Sequence, residues 1–201
     1  DLKDKLAQYQ KYQVENEELK KQLEEMKKLL DINVTLSEYT YMNATVISRD
    51  LNFWSDTIII NKGEHDGVTI DMPVVVGDGL IGKVIKTTTF NSTVRLITAT
   101  DVVEKISVKI KSGDDYVYGI LSGYDSKTKT HIIEGISQTN TIEKGSLVTT
   151  TGMGDIFPAG IVIGKITGVR TDTFDLSNVL EMQSDVNFDN ISYVTILKRN
   201  I

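Results

Sequence analysis

Two rhythms of apolar and polar positions divide this chain. From Asp1 to about Ile32, Leu2, Tyr9, Asn16, Leu23 and Leu30 return every seven residues, and Lys5, Tyr12, Leu19 and Met26 follow the first four at a spacing of three. This is an a/d heptad seam with one poor member, Lys5. The segment holds neither glycine nor proline and is rich in Leu, Lys, Glu and Gln, which favour helix. The pattern predicts a rod of roughly 45 Å. Asn16 at an a position finds its match only in register across a parallel two-stranded coil. Glu15 at g and Lys20 at the following e would meet between parallel strands. Residues 1–32 are therefore expected to dimerise through Leu2, Tyr9, Tyr12, Asn16, Leu19, Leu23, Met26 and Leu30. A single amphipathic helix lying on its own domain is the other arrangement the pattern allows.

After Ile32 the period shortens. "ATVISRD", "DTIIINKG", "PVVVGDGLIGKVI", "STVRLIT" and "KISVKI" are short, β-branched runs bounded by turn residues, the signature of closely spaced strands and hairpins. The unit then recurs. Gly82 pairs with Gly164, Phe90 with Phe174, Asp101 with Asp185 and Ile106 with Ile191, at offsets of 82 to 85 residues. Offsets that drift so little indicate two copies of one β module. The expected architecture is mainly β with an N-terminal α-helix: a parallel dimeric coiled coil (1–32), then two small barrels, read as duplicated, over 38–110 and 111–201. The last strand, from Ile191 to Lys198, could close either barrel.

Between Ile142 and Gly164 the second copy is about ten residues longer than the first, and the extra length contains "TGMGDIFPAG". Phosphate binding fails on spacing. Phe157 stands where a dinucleotide fingerprint needs its third glycine, and Ile161 where a P-loop needs its lysine. Gly152, Gly154 and Gly160 instead suit turns at positive φ. Met153, Ile156 and Phe157 either fold back to plug a barrel end or face outward. The loop Met153, Ile156, Phe157, Pro158 is expected to contribute to partner binding.

Composition removes several functions. The formal net charge of −6 opposes nucleic-acid binding. The absence of cysteine excludes disulfides and thiolate metal sites. No apolar run reaches the length that crosses a bilayer. His65, in "KGEHDGV", and His131, after "YDSKTKT", both read as solvated turn residues. Neither has a neighbouring nucleophile or metal-ligand spacing, so no catalytic, cofactor or metal residue is expected.

The run from Phe53 to Val84, "FWSDTIIINKGEHDGVTIDMPVVVGDGLIGKV", together with "TTTGMGDIFPAGIVIGKI" (Thr149 to Ile166) and the preceding coil, resembles the bacterial MreC family of rod-shape-determining proteins. The resemblance covers nearly the whole chain. It implies a dimerising helix and two small β-barrels on the outer side of the cell membrane, with a single-pass anchor expected upstream of Asp1. It implies a non-enzymatic scaffold of the elongasome, which organises lateral peptidoglycan synthesis. The implied partners are MreD, elongation penicillin-binding proteins and, indirectly, MreB. A structural coiled-coil fibre protein with β heads is the alternative, and a degenerate chymotrypsin-like hydrolase a remote one.

Overall fold

The computed structural model describes residues 2–30, 39–49, 56–100, 105–113, 115–137, 142–154, 156–171 and 177–199. Two compact units result, residues 1–37 and 38–201. In the first, helix α1 (Leu2–Leu30) runs 29 residues without a break, as its helix-forming composition requires. Leu2, Tyr9, Tyr12 and Leu19 are all more than half exposed, and Asn16 is exposed with them. The side chains of Leu23, Met26 and Leu30 lie outside the described residues.

The second unit is all strand. Its elements are β1 (Tyr39–Arg49), β2 (Thr57–Ile60), β3 (Pro73–Val76), β4 (Gly79–Thr87), β5 (Ser92–Leu96), β6 (Ile106–Ser112), β7 (Asp115–Asp125), β8 (Thr130–Ser137), β9 (Leu147–Thr150), β10 (Val162–Thr171), β11 (Ser177–Gln183) and β12 (Tyr193–Arg199). Antiparallel pairing closes two circuits of six. One runs β1-β2-β5-β4-β3-β12 and back to β1. The other runs β7-β8-β11-β10-β9-β6 and back to β7. Closure leaves neither barrel a free edge.

The circuits have the same order of pairing when β1 to β5 are matched with β7 to β11 and β12 with β6. The sixth strand of the first barrel thus arrives from far along the chain, whereas that of the second directly precedes its other five. β12 closes the first barrel. β6 belongs to the second, which corrects the division at residue 110: a tight turn at Gly113, with φ of 61°, folds β6 straight onto β7. Three irregularities match as well, while the slip between Asn178 and Leu180 on β11 has no counterpart between β2 and β5. The register slips between Val46 and Ser48 on β1 and between Leu121 and Gly123 on β7. It slips between Val84 and Lys86 on β4 and between Ile166 and Gly168 on β10. Against β3 and β9, the step falls at Ile81 and at Ile163. Bulges are specified features that re-aim a strand, so three at matching positions are informative. Gly82 and Gly164 occupy corresponding positions, and a Cβ on either would run into a backbone carbonyl of the next strand, that of Arg95 or of Gln183. Ile106 opens β6, and Ile191 lies just before β12. Asp101 and Phe174 lie outside the described residues.

Each barrel has its own core. Ile58, Ile60, Ile81, Val94 and Ile196 fill the first. Val108, Ile110, Ile133, Ile163 and Leu180 fill the second. Val75, Leu80 and Leu197 sit on strands of the first barrel but pack with the second core. One parallel bridge, Val162 to Gly79, ties β10 to β4. The two barrels are therefore joined by packing as well as by chain.

Candidate functional site: an exposed face on the second barrel

On β6 the residues Ile106, Val108 and Ile110 point inward, which turns Ser107, Lys109 and Lys111 out. β7 breaks the usual alternation of apolar with polar, because both of its faces are apolar. Val117, Gly119 and Leu121 are buried, and Gly119 leaves the interior free for Ile133 and Ile136. Tyr116, Tyr118 and Ile120 are exposed at 51%, 55% and 42%. Register places Tyr116 beside Lys111, Tyr118 beside Lys109 and Ile120 beside Ser107. The Lys109 ammonium stands 5.0 Å from the Tyr116 ring centre, a cation–π distance. Leu147, on the adjoining β9, is also exposed.

The glycine-hinged loop extends this face. Gly152, Gly154 and Gly160 all take positive φ, as expected. Thr150 anchors the loop at both ends. Its hydroxyl donates to the Pro158 carbonyl and accepts from the Ile161 amide, while the Gly160 amide reaches the Thr150 carbonyl. The loop residues then part company. Met153 is 67% exposed, with its sulfur 3.9 Å from the Ser107 hydroxyl. Phe157 is only 8% exposed and belongs to the second core, with Ile156 packed half-buried against it. Pro158 is half-buried. Phe157 also borders a small void of about 20 Å³, together with Gly82, Leu96, Ile106 and Leu121 from the joint between the barrels. Within one loop, then, Phe157 seals the joint and Met153 stands at the surface.

His131 departs from its expected solvation. It is 1% exposed, with its ring 4.8 Å from Tyr124 and 6.1 Å from Phe188. Neither ring nitrogen makes a hydrogen bond of good geometry, although the Ile97 backbone lies near enough to favour the charged form slightly. Burial dominates and pushes the imidazole down to about 4. A cleft of about 160 Å³ between the barrels opens above it, crossed by the Lys129–Asp189 ion pair at 3.0 Å. His131 is on β8, where inward alternation with Ile133 was the available signal. His65 is exposed, as expected, and its ring lies tilted 6.0 Å from that of Phe90. Among the described residues, no three acidic or histidine side chains group as metal ligands. No helix there is long and apolar enough to cross a membrane.

Two closed six-stranded barrels, following an N-terminal helix in sequence, with one apolar, lysine-flanked face on the second, define a tandem β-barrel protein. The family described as "Rod shape-determining protein MreC, barrel core" matches residues 46–198. The chain belongs to the MreC family of cell shape-determining proteins. The cell shape-determining protein MreC of Listeria monocytogenes is 39% identical over 99% of this chain and 67% of its own length. A solved structure of Listeria MreC superposes with a TM-score of 0.90 at 38% identity, covering 100% of this chain and 95% of that one. MreC of Helicobacter pylori, solved in complex with Penicillin-Binding Protein (PBP2), has the same fold at 16% identity and a TM-score of 0.58, covering 80% of this chain and 99% of that one.

Proposed function

We propose that this chain is the extracytoplasmic part of a membrane-anchored, non-enzymatic scaffold that organises lateral peptidoglycan synthesis in the elongasome. Its second barrel would hold an elongation penicillin-binding protein, and its helix would hold a second copy of the chain. The carrying observation is the face formed by Tyr116, Tyr118, Ile120, Leu147 and Met153, which exposes large apolar groups where a barrel strand normally shows polar ones. Tyrosine and methionine are favoured at interface cores. The complex known for the Helicobacter relative supports the choice of partner class. Lys109 and Lys111 on a chain of net charge −6 favour an acidic rim on that partner. MreD, the MreB filament and the anchor itself rest on family membership alone. The hydrolase alternative draws no support from the histidines: among the described residues no hydroxyl is hydrogen-bonded to either ring nitrogen of His131, and His65 lies open against Phe90. The matching strand circuits and bulges support reading the two modules as copies.

The test is titration of the purified chain against the extracytoplasmic part of an elongation-class penicillin-binding protein. Tyr118→Ala and Met153→Ala should each weaken binding by roughly tenfold or more, with melting temperature unchanged. Unaltered affinity in both variants would remove this face from the interface.

Self-association has its own check. Sedimentation equilibrium should give a dimer for the wild type. Asn16→Leu should stabilise the coil while admitting other oligomers, because the polar seam residue trades stability for register. A wild-type monomer at high micromolar concentration contradicts the coil.

A further inference from the structure

The first barrel carries a second exposed face, of different chemistry. β1 and β12 lie side by side there with Tyr41 opposite Leu197, Asn43 opposite Thr195 and Thr45 opposite Tyr193. Their inward neighbours Ala44, Val194 and Ile196 fill the core, so Tyr41, Asn43, Thr45, Tyr193 and Thr195 face out, while Leu197 is buried against the second core. Tyr193 and Tyr41 are 75% and 73% exposed, among the most exposed aromatic side chains described. Between β12 and the β3–β4 turn lies an open concavity of about 510 Å³. Asn43, Thr45, Asn61, Gly77, Tyr193 and Thr195 are among its lining residues, and none of that lining is charged. Gly77, at φ of 57° with open space where a side chain would stand, keeps one wall low.

The amides are held in a fixed sense. The Oδ1 of Asn43 accepts from the Thr195 hydroxyl at 3.0 Å. The Oδ1 of Asn61 accepts from the Thr45 backbone amide at 2.8 Å. Each asparagine thus engages its oxygen once within the protein and keeps its NH₂ donors. Tyr41 and Tyr193 stand four residues apart in register, about 14 Å along the strands. That is the span of a short chain of rings rather than of a single one.

The geometry points to a binding site for a neutral oligosaccharide on this face, with Tyr41 and Tyr193 as stacking platforms and Asn43, Asn61 and Thr195 as hydroxyl partners. Rigid, amphipathic tyrosine rings match the C–H faces of pyranoses and keep a polar tip for their hydroxyls. Fixed amide donors match the ring oxygens and hydroxyls between the platforms. An uncharged lining suits a neutral sugar and gives a charged one no counter-ion. The lysine-flanked face of the second barrel has none of these amides, so the two faces divide in their chemistry.

Cellotriose and chitotriose are the probes, titrated into the full chain by amide-resolved NMR at millimolar concentration. At least one should bind, with shifts centred on Asn43, Asn61, Tyr193 and Thr195. Tyr193→Ala and Tyr41→Ala should each weaken it by roughly tenfold, while Tyr193→Phe, which keeps the ring, retains most of the affinity. A trigalacturonate should bind more weakly than either. Both alanine positions are exposed, so the fold survives and the comparison stands. Failure of both neutral trisaccharides to bind, unchanged affinity in the two alanine variants, or stronger binding of the charged sugar would each overturn the proposal. None of these outcomes bears on the protein-binding face of the second barrel.

Discussion

Phe157→Ala is expected to lower the unfolding free energy by roughly 3–5 kcal/mol, the usual cost of emptying a buried aromatic site. Phe157 is 8% exposed and packs in the second core at the edge of an existing void. Truncation enlarges that void beside Gly82 and Gly123, two positions with no side chain to collapse into it. A urea melt should show the midpoint falling with little change in slope. Affinity for a penicillin-binding protein, measured where the variant is still folded, should change far less than in Met153→Ala. The reverse pattern, full stability with lost affinity, would mean that Phe157 leaves the core to meet the partner.

Acid should weaken the fold through His131. An ordinary histidine titrates near 6.5, and burial holds this one at about 4. The folded state therefore refuses a proton that the unfolded chain accepts. Stability is full above about pH 7, falls as pH drops below 6.5, and reaches its full loss near pH 4. The two values imply a loss of about 3 kcal/mol over that interval. The nearby charges do not reverse the sign, because Lys129 and Asp189 are paired with each other at the mouth of the cleft. His131→Phe removes the titration and keeps a ring between Tyr124 and Phe188. The stability difference between wild type and His131→Phe should change by about 3 kcal/mol from pH 7 to pH 4. A flat difference would show that the imidazole takes up its proton without disturbing the fold.

Much of this architecture was legible from local signals. The helix announced itself through a seven-residue period, and the strands through β-branched runs between turns. Gly82 and Gly164 were recognisable as counterparts because a close backbone approach tolerates no other residue, and that constraint writes itself into sequence. Pairing across the chain was not legible. Nothing in "KISVKI" or "ISYVTILK" states which barrel each strand closes, since both carry the same inward alternation and partner choice is fixed by long-range packing. His131 was misread for a related reason: a polar type after a turn suggests solvent, but its place in the alternation of β8 sends it inward. The exposed apolar face was half visible. The loop drew notice through its glycines, whereas its neighbour on β7 needed a different clue, the apolar character of Tyr116, Tyr118 and Ile120 on the side opposite Val117 and Leu121.

The closure of the first barrel by β12 also bears on how the chain is made. A barrel whose six strands were consecutive could close as soon as they left the ribosome. Here the first barrel must wait for Tyr193–Arg199, synthesised almost a hundred residues after Ser92–Leu96. Until then β1 and β3 each present an unpaired edge, and the interior around Ile58, Ile81 and Val94 stays open on that side. Such long-range closure is slow, and it leaves strand edges open to wrong partners. The second barrel has all its strands by Gln183 and can finish first. Maturation would then run from the later barrel to the earlier one, against the direction of synthesis, with Tyr193–Arg199 acting as the latch of the first.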